Sequence, residues 1–92
     1  MRYFFDIFDG DHWTRDDIGM EVRNDRQARH QAVLALTEMA RELLPTDGDR
    51  MDLSIRVRTE AGERFTVSLD FETQRPSSAG QAGAKSEAGT VK

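Results

Sequence analysis

Two stretches near the C-terminal end of the chain alternate hydrophobic and polar residues with a period of two. Leu53, Ile55 and Val57 alternate with Ser54, Arg56 and Arg58, and Phe65, Val67, Leu69 and Phe71 alternate with Thr66, Ser68 and Asp70. Successive side chains of a strand point to opposite faces, so each stretch predicts a half-buried strand. The link between them, Glu60 to Glu63, has the length of a hairpin connection, with Gly62 free to adopt positive φ.

Ahead of this pair the period changes to that of a helix. From Ala28 to Leu44 the residues Ala28, Ala32, Val33, Ala35, Leu36, Met39, Ala40, Leu43 and Leu44 fill about half of a wheel turning 100° per residue. Asn24 followed three residues later by Gln27 is a start signal, Asp25 suits the positive end of the helix dipole, and Pro45 stops the helix near Leu44. The stripe predicts a helix lying on one face of a sheet, with Tyr3, Phe5 and Ile7 facing Leu36, Met39 and Leu43. Leu34 falls on the polar side.

The N-terminal stretch Tyr3 to Phe8 is apolar on both faces: Tyr3, Phe5 and Ile7 share one, Phe4 and Phe8 the other, with Asp6 between them. Double-sided apolarity suits a central strand. Ile18, Met20 and Val22 predict a short second strand, and Gly19 within it marks a bulge or a close backbone approach. The expected fold is α+β, in the order β-β-α-β-β: a four-stranded antiparallel sheet, spatial order 2-1-3-4, with one helix packed on one face. Residues 1–74 form the single domain.

From Arg75 on, Val91 is the only large aliphatic residue and no aromatic occurs, so 75–92 is expected to be a disordered tail. The charge splits at the same point. Residues 1–74 hold ten Lys and Arg against sixteen Asp and Glu, a balance of −6, and 75–92 hold three against one. An acidic domain is a poor match for phosphate backbones, which makes nucleic acid an unfavoured partner. There is no cysteine, and the one strongly apolar run is too short and too acidic for a signal peptide or a membrane span. A soluble, cytoplasmic protein is expected.

Candidate chemistry is sparse. Asp9, Asp11, Asp16 and Asp17 cluster with His12, but the twelfth residue counted from Asp9 is Met20, where a calcium loop needs glutamate. The cluster reads as a turn in which Asp side chains bond nearby backbone N–H groups. His12 and His30 have no Cys or Ser partner in a nucleophile motif, and Trp13 reads as folding over the edge of the core. No enzyme, metal or cofactor is expected.

The outer sheet face should gather Arg2, Phe4, Asp6 and Phe8 with Ser54, Arg56, Arg58, Arg64, Thr66, Ser68 and Asp70. Three readings compete there: arginine–aspartate pairs shielding the two phenylalanines, a protein contact surface, or a nucleic-acid platform. The expected contact residues are Phe4, Phe8, Arg56 and Arg58, with a second protein or a second copy of the chain as partner.

The opening Met-Arg-Tyr-Phe-Phe, with Asp9-Gly10, the acidic pair Asp16-Asp17 and Gly19 ahead of the helix, resembles a family of small uncharacterised proteins common in rhizobia and related alphaproteobacteria. The resemblance covers roughly residues 1–72, implies a bacterial setting and carries no catalytic residues. The helix-on-sheet layout is also similar, at the level of fold, to the antitoxin half of the Hic toxin–antitoxin systems. The function expected is a non-catalytic protein-interaction or regulatory module, with an antitoxin-like regulator contacting a toxin or nucleic acid as the alternative.

Overall fold

The computed structural model describes residues 1–45 and 48–76. Its elements are β1 (Arg2–Phe8), β2 (Trp13–Thr14), β3 (Met20–Glu21), α1 (Asp25–Leu43), β4 (Arg50–Thr59) and β5 (Gly62–Glu72). Most of the expected tail, residues 77–92, lies outside the described residues. Arg75 is described, and its Nη1 lies 2.6 Å from Asp49 Oδ2.

The sheet is antiparallel with the order β2-β1-β4-β5, and β3 also pairs with β1. The expected architecture and order therefore hold, but with five strands rather than four. The expected second strand is present only as β3, and a further short strand, β2, precedes it along the same edge of β1: Thr14 and Trp13 pair with Ile7 and Phe8, while Glu21 and Met20 pair with Arg2 and Tyr3. Between them the chain is off the ladder over residues 15–19, a gap that ends at Gly19 with φ 79°. Ile18, expected to alternate inward, is 80 % exposed, while Val22 beyond the break reaches the core. The strand at Trp13, two residues long, is too short to show a period, so the sequence there reads as a turn.

A strand that loses its neighbour leaves backbone donors to be satisfied another way. Here Asp16 does it. Its carboxylate accepts the Phe5 N–H at 3.0 Å across the gap, and the N–H groups of Ile18 and Gly19 from its own loop, each at 3.0 Å.

The helix begins where its cap signal stands: Asn24 Oδ1 accepts from Gln27 N at 3.0 Å, and Leu44 closes the last turn by donating to the Ala40 carbonyl. It packs over β4 and β5. Ala28, Ala32 and Leu36 meet Tyr3, Leu53, Ile55 and Val57, with Phe5, Ile7, Met39 and Leu43 around them. The face assignment of β1 is as expected, although Tyr3 reaches the first turn of the helix, where its hydroxyl donates to Asp25 Oδ1 at 2.6 Å. Small residues at that end of the helix let it come close to the bulky strand residues.

β4 and β5 form a hairpin closed by Glu60 and Ala61, Thr59 pairing with Gly62, whose φ is 131°. The ladder is regular except at one bulge, where Val57 faces Phe65 and Arg58 faces Glu63, leaving Arg64 as the extra residue. Strict alternation along β5 places Arg64 on the outer face. The bulge turns it to the helix, where Nη2 and Nε bond Asp25 Oδ2 at 2.7 and 3.2 Å.

Of the four described glycines, Gly19 is the least tolerant of a side chain. A Cβ there would lie 2.9 Å from Phe4 Cε2, 2.9 Å from Arg2 Cγ and 3.0 Å from the Tyr3 carbonyl oxygen, on a backbone that L residues rarely adopt. Gly19→Ala is expected to cost about 2 kcal/mol or more in urea denaturation, from left-handed strain plus displacement of β1 neighbours. A loss under about 0.5 kcal/mol would show that the loop can move away from the strand freely.

Candidate functional site

Alternation along β1 turns Phe4, Asp6 and Phe8 away from the helix, and the β1–β4 register sets Arg58 opposite Phe4, Arg56 opposite Asp6 and Ser54 opposite Phe8. Side chains directly across an antiparallel pair lie near enough to interact. No second layer covers this face among the described residues, so whatever shields the phenylalanines comes from the sheet itself and the loop beside it.

Asp6 is the centre of the arrangement. It is only 4 % exposed, and Arg58 grips it with two bonds, Nε to Oδ2 at 2.8 Å and Nη2 to Oδ1 at 3.2 Å. The Asp16 N–H donates to Asp6 Oδ1 at 2.9 Å, and Arg58 Nη2 also donates to the Asp16 carbonyl at 2.8 Å. A charged donor with two parallel bonds fixes orientation as well as charge. The loop carrying Asp16 is thus bound to β1 twice, by its own carboxylate and by that of Asp6.

The aromatic residues fill the space around these charges. The Arg58 guanidinium lies 4.7 Å from the centre of the Phe4 ring, and Phe8 packs against Trp13 at 5.3 Å with the rings tilted by 41°. The Arg56 guanidinium stacks 4.2 Å above the indole. Trp13 remains 43 % exposed. Arg56 differs from Arg58 in its bonding: it forms ion pairs with Asp6 at 3.7 Å and Glu63 at 3.4 Å, but its Nε has no hydrogen-bond partner among the described residues. Cation–π stacking on the indole holds it instead.

The four expected contact residues, Phe4, Phe8, Arg56 and Arg58, are therefore gathered on one face, with Phe4 and Phe8 half-buried. Trp13, Asp6 and Asp16 belong with them. The arginine–aspartate pairing expected on this face is present as Asp6 with Arg58 and Arg56, and the strand register decides which arginine grips it in two bonds. Asp16 sits ten residues from Asp6 with nothing in its spacing to connect them. Trp13 does lie over the edge of the sheet, but on the outer face rather than the helix side.

The electrostatics follow the bonds. Burial pushes the Asp6 carboxyl upward, but the Arg58 hydrogen bonds, the Asp16 N–H and the two guanidinium charges outweigh it, and the pKa falls below the ordinary aspartate value. Burial likewise opposes ionisation of Asp16, and the N–H groups of Phe5, Gly19 and Ile18 reverse it. Arg58 is raised by its bonds to Asp6. At the helix, Arg64 and then Tyr3 lower Asp25, and the bond to Asp25 raises Tyr3.

The acidic stretch behaves as an Asx turn: Asp9 Oδ1 accepts from Asp11 N at 2.9 Å and His12 N at 3.1 Å, and these bonds lower the Asp9 pKa. His12 lies exposed beside Asp9 and Asp11, and His30 is exposed on α1. Among the described residues, no group of three or more His, Asp or Glu side chains converges as a metal site, and no helix is long and apolar enough to cross a membrane.

Residues 2–70 match the family described as Domain of unknown function (DUF6894), and the chain belongs to that family. No curated protein and no solved structure matches the chain.

Removing one member of a buried ion pair strands the other. Asp6→Ala is expected to destabilise the domain by about 3 kcal/mol, more than the double variant Asp6→Leu with Arg58→Leu, which removes both charges. Asp6 and Asp16 bind fewer protons folded than unfolded in the window below about 4, where an ordinary aspartate begins to protonate. Stability measured by urea unfolding should be level from neutral pH to about 4 and fall as pH drops further, with a shallower acid limb in Asp16→Asn. An Asp6→Ala loss below about 1 kcal/mol would mean that the pair acts as an exposed one.

Proposed function

We propose that this family member is a small non-catalytic protein-interaction module, and that the partner binds the outer sheet face around Trp13, Arg56, Phe8, Phe4 and Arg58. The observation that carries the reading is the stacked Trp13–Arg56 pair. An exposed indole lies beneath a guanidinium whose side chain is itself about one-third exposed, so both groups of the stack are open to a partner. Tryptophan and arginine dominate the energetics of protein interfaces, where a rigid aromatic anchor loses little entropy on binding. The charged residues beneath are already engaged: Asp6, Asp16 and Arg58 satisfy one another and a loop backbone, which makes a stiff support rather than a proton-transfer site.

The pairing of Arg with Asp and Glu on this face favours a protein partner over a nucleic acid, since the guanidinium charges are balanced by Asp6 and Glu63. An antitoxin-like regulatory role has only the helix-on-sheet layout behind it. A bacterial cytoplasm, implied by the likeness of the opening residues, is the setting we propose.

Affinity capture from the native host with wild type, Trp13→Ala and Glu42→Gln in parallel tests the site, each variant first shown to keep its far-ultraviolet circular dichroism. A protein enriched by wild type and Glu42→Gln, and lost from Trp13→Ala, is the expected result. Identical captured sets for all three would overturn the reading.

A further inference from the structure

The sheet ends at β5, an eleven-residue strand whose far side pairs with nothing among the described residues. Which of its backbone groups face that open side follows from the ladder. Thr73 N donates to the Asp49 carbonyl at 2.6 Å, so Asp49 and Thr73 form a hydrogen-bonded pair. Antiparallel pairs alternate, which makes Met51–Phe71, Leu53–Leu69, Ile55–Val67 and Val57–Phe65 hydrogen-bonded too. The N–H and C=O groups of Thr66, Ser68 and Asp70 then point outward to the free edge.

Natural sheets blunt such edges with short strands, prolines, charged side chains, lysine above all, or bulges, and of these devices the stretch Phe65 to Glu72 carries only two acidic residues, Asp70 and Glu72. From Phe65 to Glu72 β5 has no proline, lysine or glycine, and its one bulge lies at Arg64, before this stretch. The helix side of the strand is also incompletely covered. Phe65, Val67, Leu69 and Phe71 are all only half-buried, whereas their neighbours Leu53, Ile55 and Val57 on β4 are fully buried. Val33 of α1, on the flank turned away from β1, is 37 % exposed. The shortfall in burial lies along the same edge as the free backbone groups.

We propose that β5 pairs antiparallel with β5 of a second copy of the chain, about a two-fold axis through Ser68 perpendicular to the sheet. The occupant is argued from the strand's own pattern, which reads nearly the same in both directions about Ser68. Phe65 falls opposite Phe71 of the second copy, Val67 opposite Leu69, Thr66 opposite Asp70 and Ser68 opposite itself. An isologous contact requires this self-complementarity. Every apolar residue of the edge meets an apolar one, and each Asp70 carboxylate meets a threonine hydroxyl. Moving the axis to Asp70 would set two carboxylates against each other, which the register through Ser68 avoids. Strands lie about 4.8 Å apart, so helices sitting over β4 and β5 in each copy come to about 10 Å from one another, the ordinary spacing of packed helices. The outer faces of both copies then form one continuous surface, and the contact uses none of the residues of the Trp13–Arg56 site.

Sedimentation over a concentration series reaching high micromolar, with wild type, Ser68→Pro, Ser68→Ala and Thr66→Asp, tests the pairing. Proline removes an N–H that only the second copy would use, and so it is tolerated at a free edge while blocking a new strand. The expected result is a wild-type dimer, a dimer for Ser68→Ala, and a monomer with native circular dichroism for Ser68→Pro. Thr66→Asp places two carboxylate pairs across the axis and should weaken the dimer roughly tenfold. Adding Asp70→Lys to it should restore the dimer. A wild type that stays monomeric throughout overturns the proposal, as does a dimer that a folded Ser68→Pro leaves intact. Should Ser68→Pro fail to fold, a Thr66→Asp dimer as tight as wild type overturns it.

Discussion

The Asp6 carboxylate is the constraint on which the outer half of this structure depends. It stands in the middle of a strand otherwise apolar on both faces, shielded from water on the side opposite the helix, and a charge so placed must be met by partners. Arg58 meets it from β4 and the Asp16 N–H from the loop, so that one residue ties the central strand to its neighbours on both sides. A slip of β1 by one residue would turn Asp6 into the core and both Phe5 and Ile7 out. The penalty for that is larger than for a slip of an all-apolar strand. Replacing such a pair with hydrophobic residues is often neutral for stability, so the pair's presence is no measure of added stability.

The Asp16 loop shows how an interrupted strand can remain bonded. Where β2 gives way to β3, a side-chain carboxylate takes over the acceptor role of a backbone carbonyl for Phe5, and the same carboxylate organises the turn through Ile18 and Gly19. Because the Asp16 backbone is also bound by Asp6 and Arg58, the loop lies against Phe4 rather than extending into solvent. At the other face Asp25 plays a comparable part. It receives Tyr3 from β1 and Arg64 from the β5 bulge at the first turn of the helix, where a negative charge is favoured by the dipole. Two carboxylates, one on each side of the sheet, thus bond together segments distant in sequence.

These bonds bear on how such a small domain could bind. The aromatic rings of the outer face are held by charged groups that are themselves fixed, so Trp13 and Arg56 are presented on a support with little freedom to lose on association. Phe4 and Phe8 are partly covered from within, by Arg58 and Trp13, and so the proposed contact centres on the indole and the second guanidinium more than on the phenylalanines themselves.

The sequence by itself determined the helix, its cap at Asn24 and its stop before Pro45, the β4–β5 hairpin, the side of β1 that faces the helix and the order of the main strands. Each of these follows from periodicity, turn chemistry or chain connectivity, which are local or nearly so. It also placed Phe4, Phe8, Arg56 and Arg58 on one face, because alternation alone sorts residues between faces. The tertiary structure decided what alternation cannot encode. The break between β2 and β3, the turn of Arg64 toward Asp25, and the meeting of Asp6, Asp16 and Arg58 all depend on registers and loop paths that bring residues far apart in the chain within hydrogen-bond reach. Neither the pattern of residues nor their spacing records such distances, since a hydrogen bond between residues 6 and 58 exists only after the strands between them have paired.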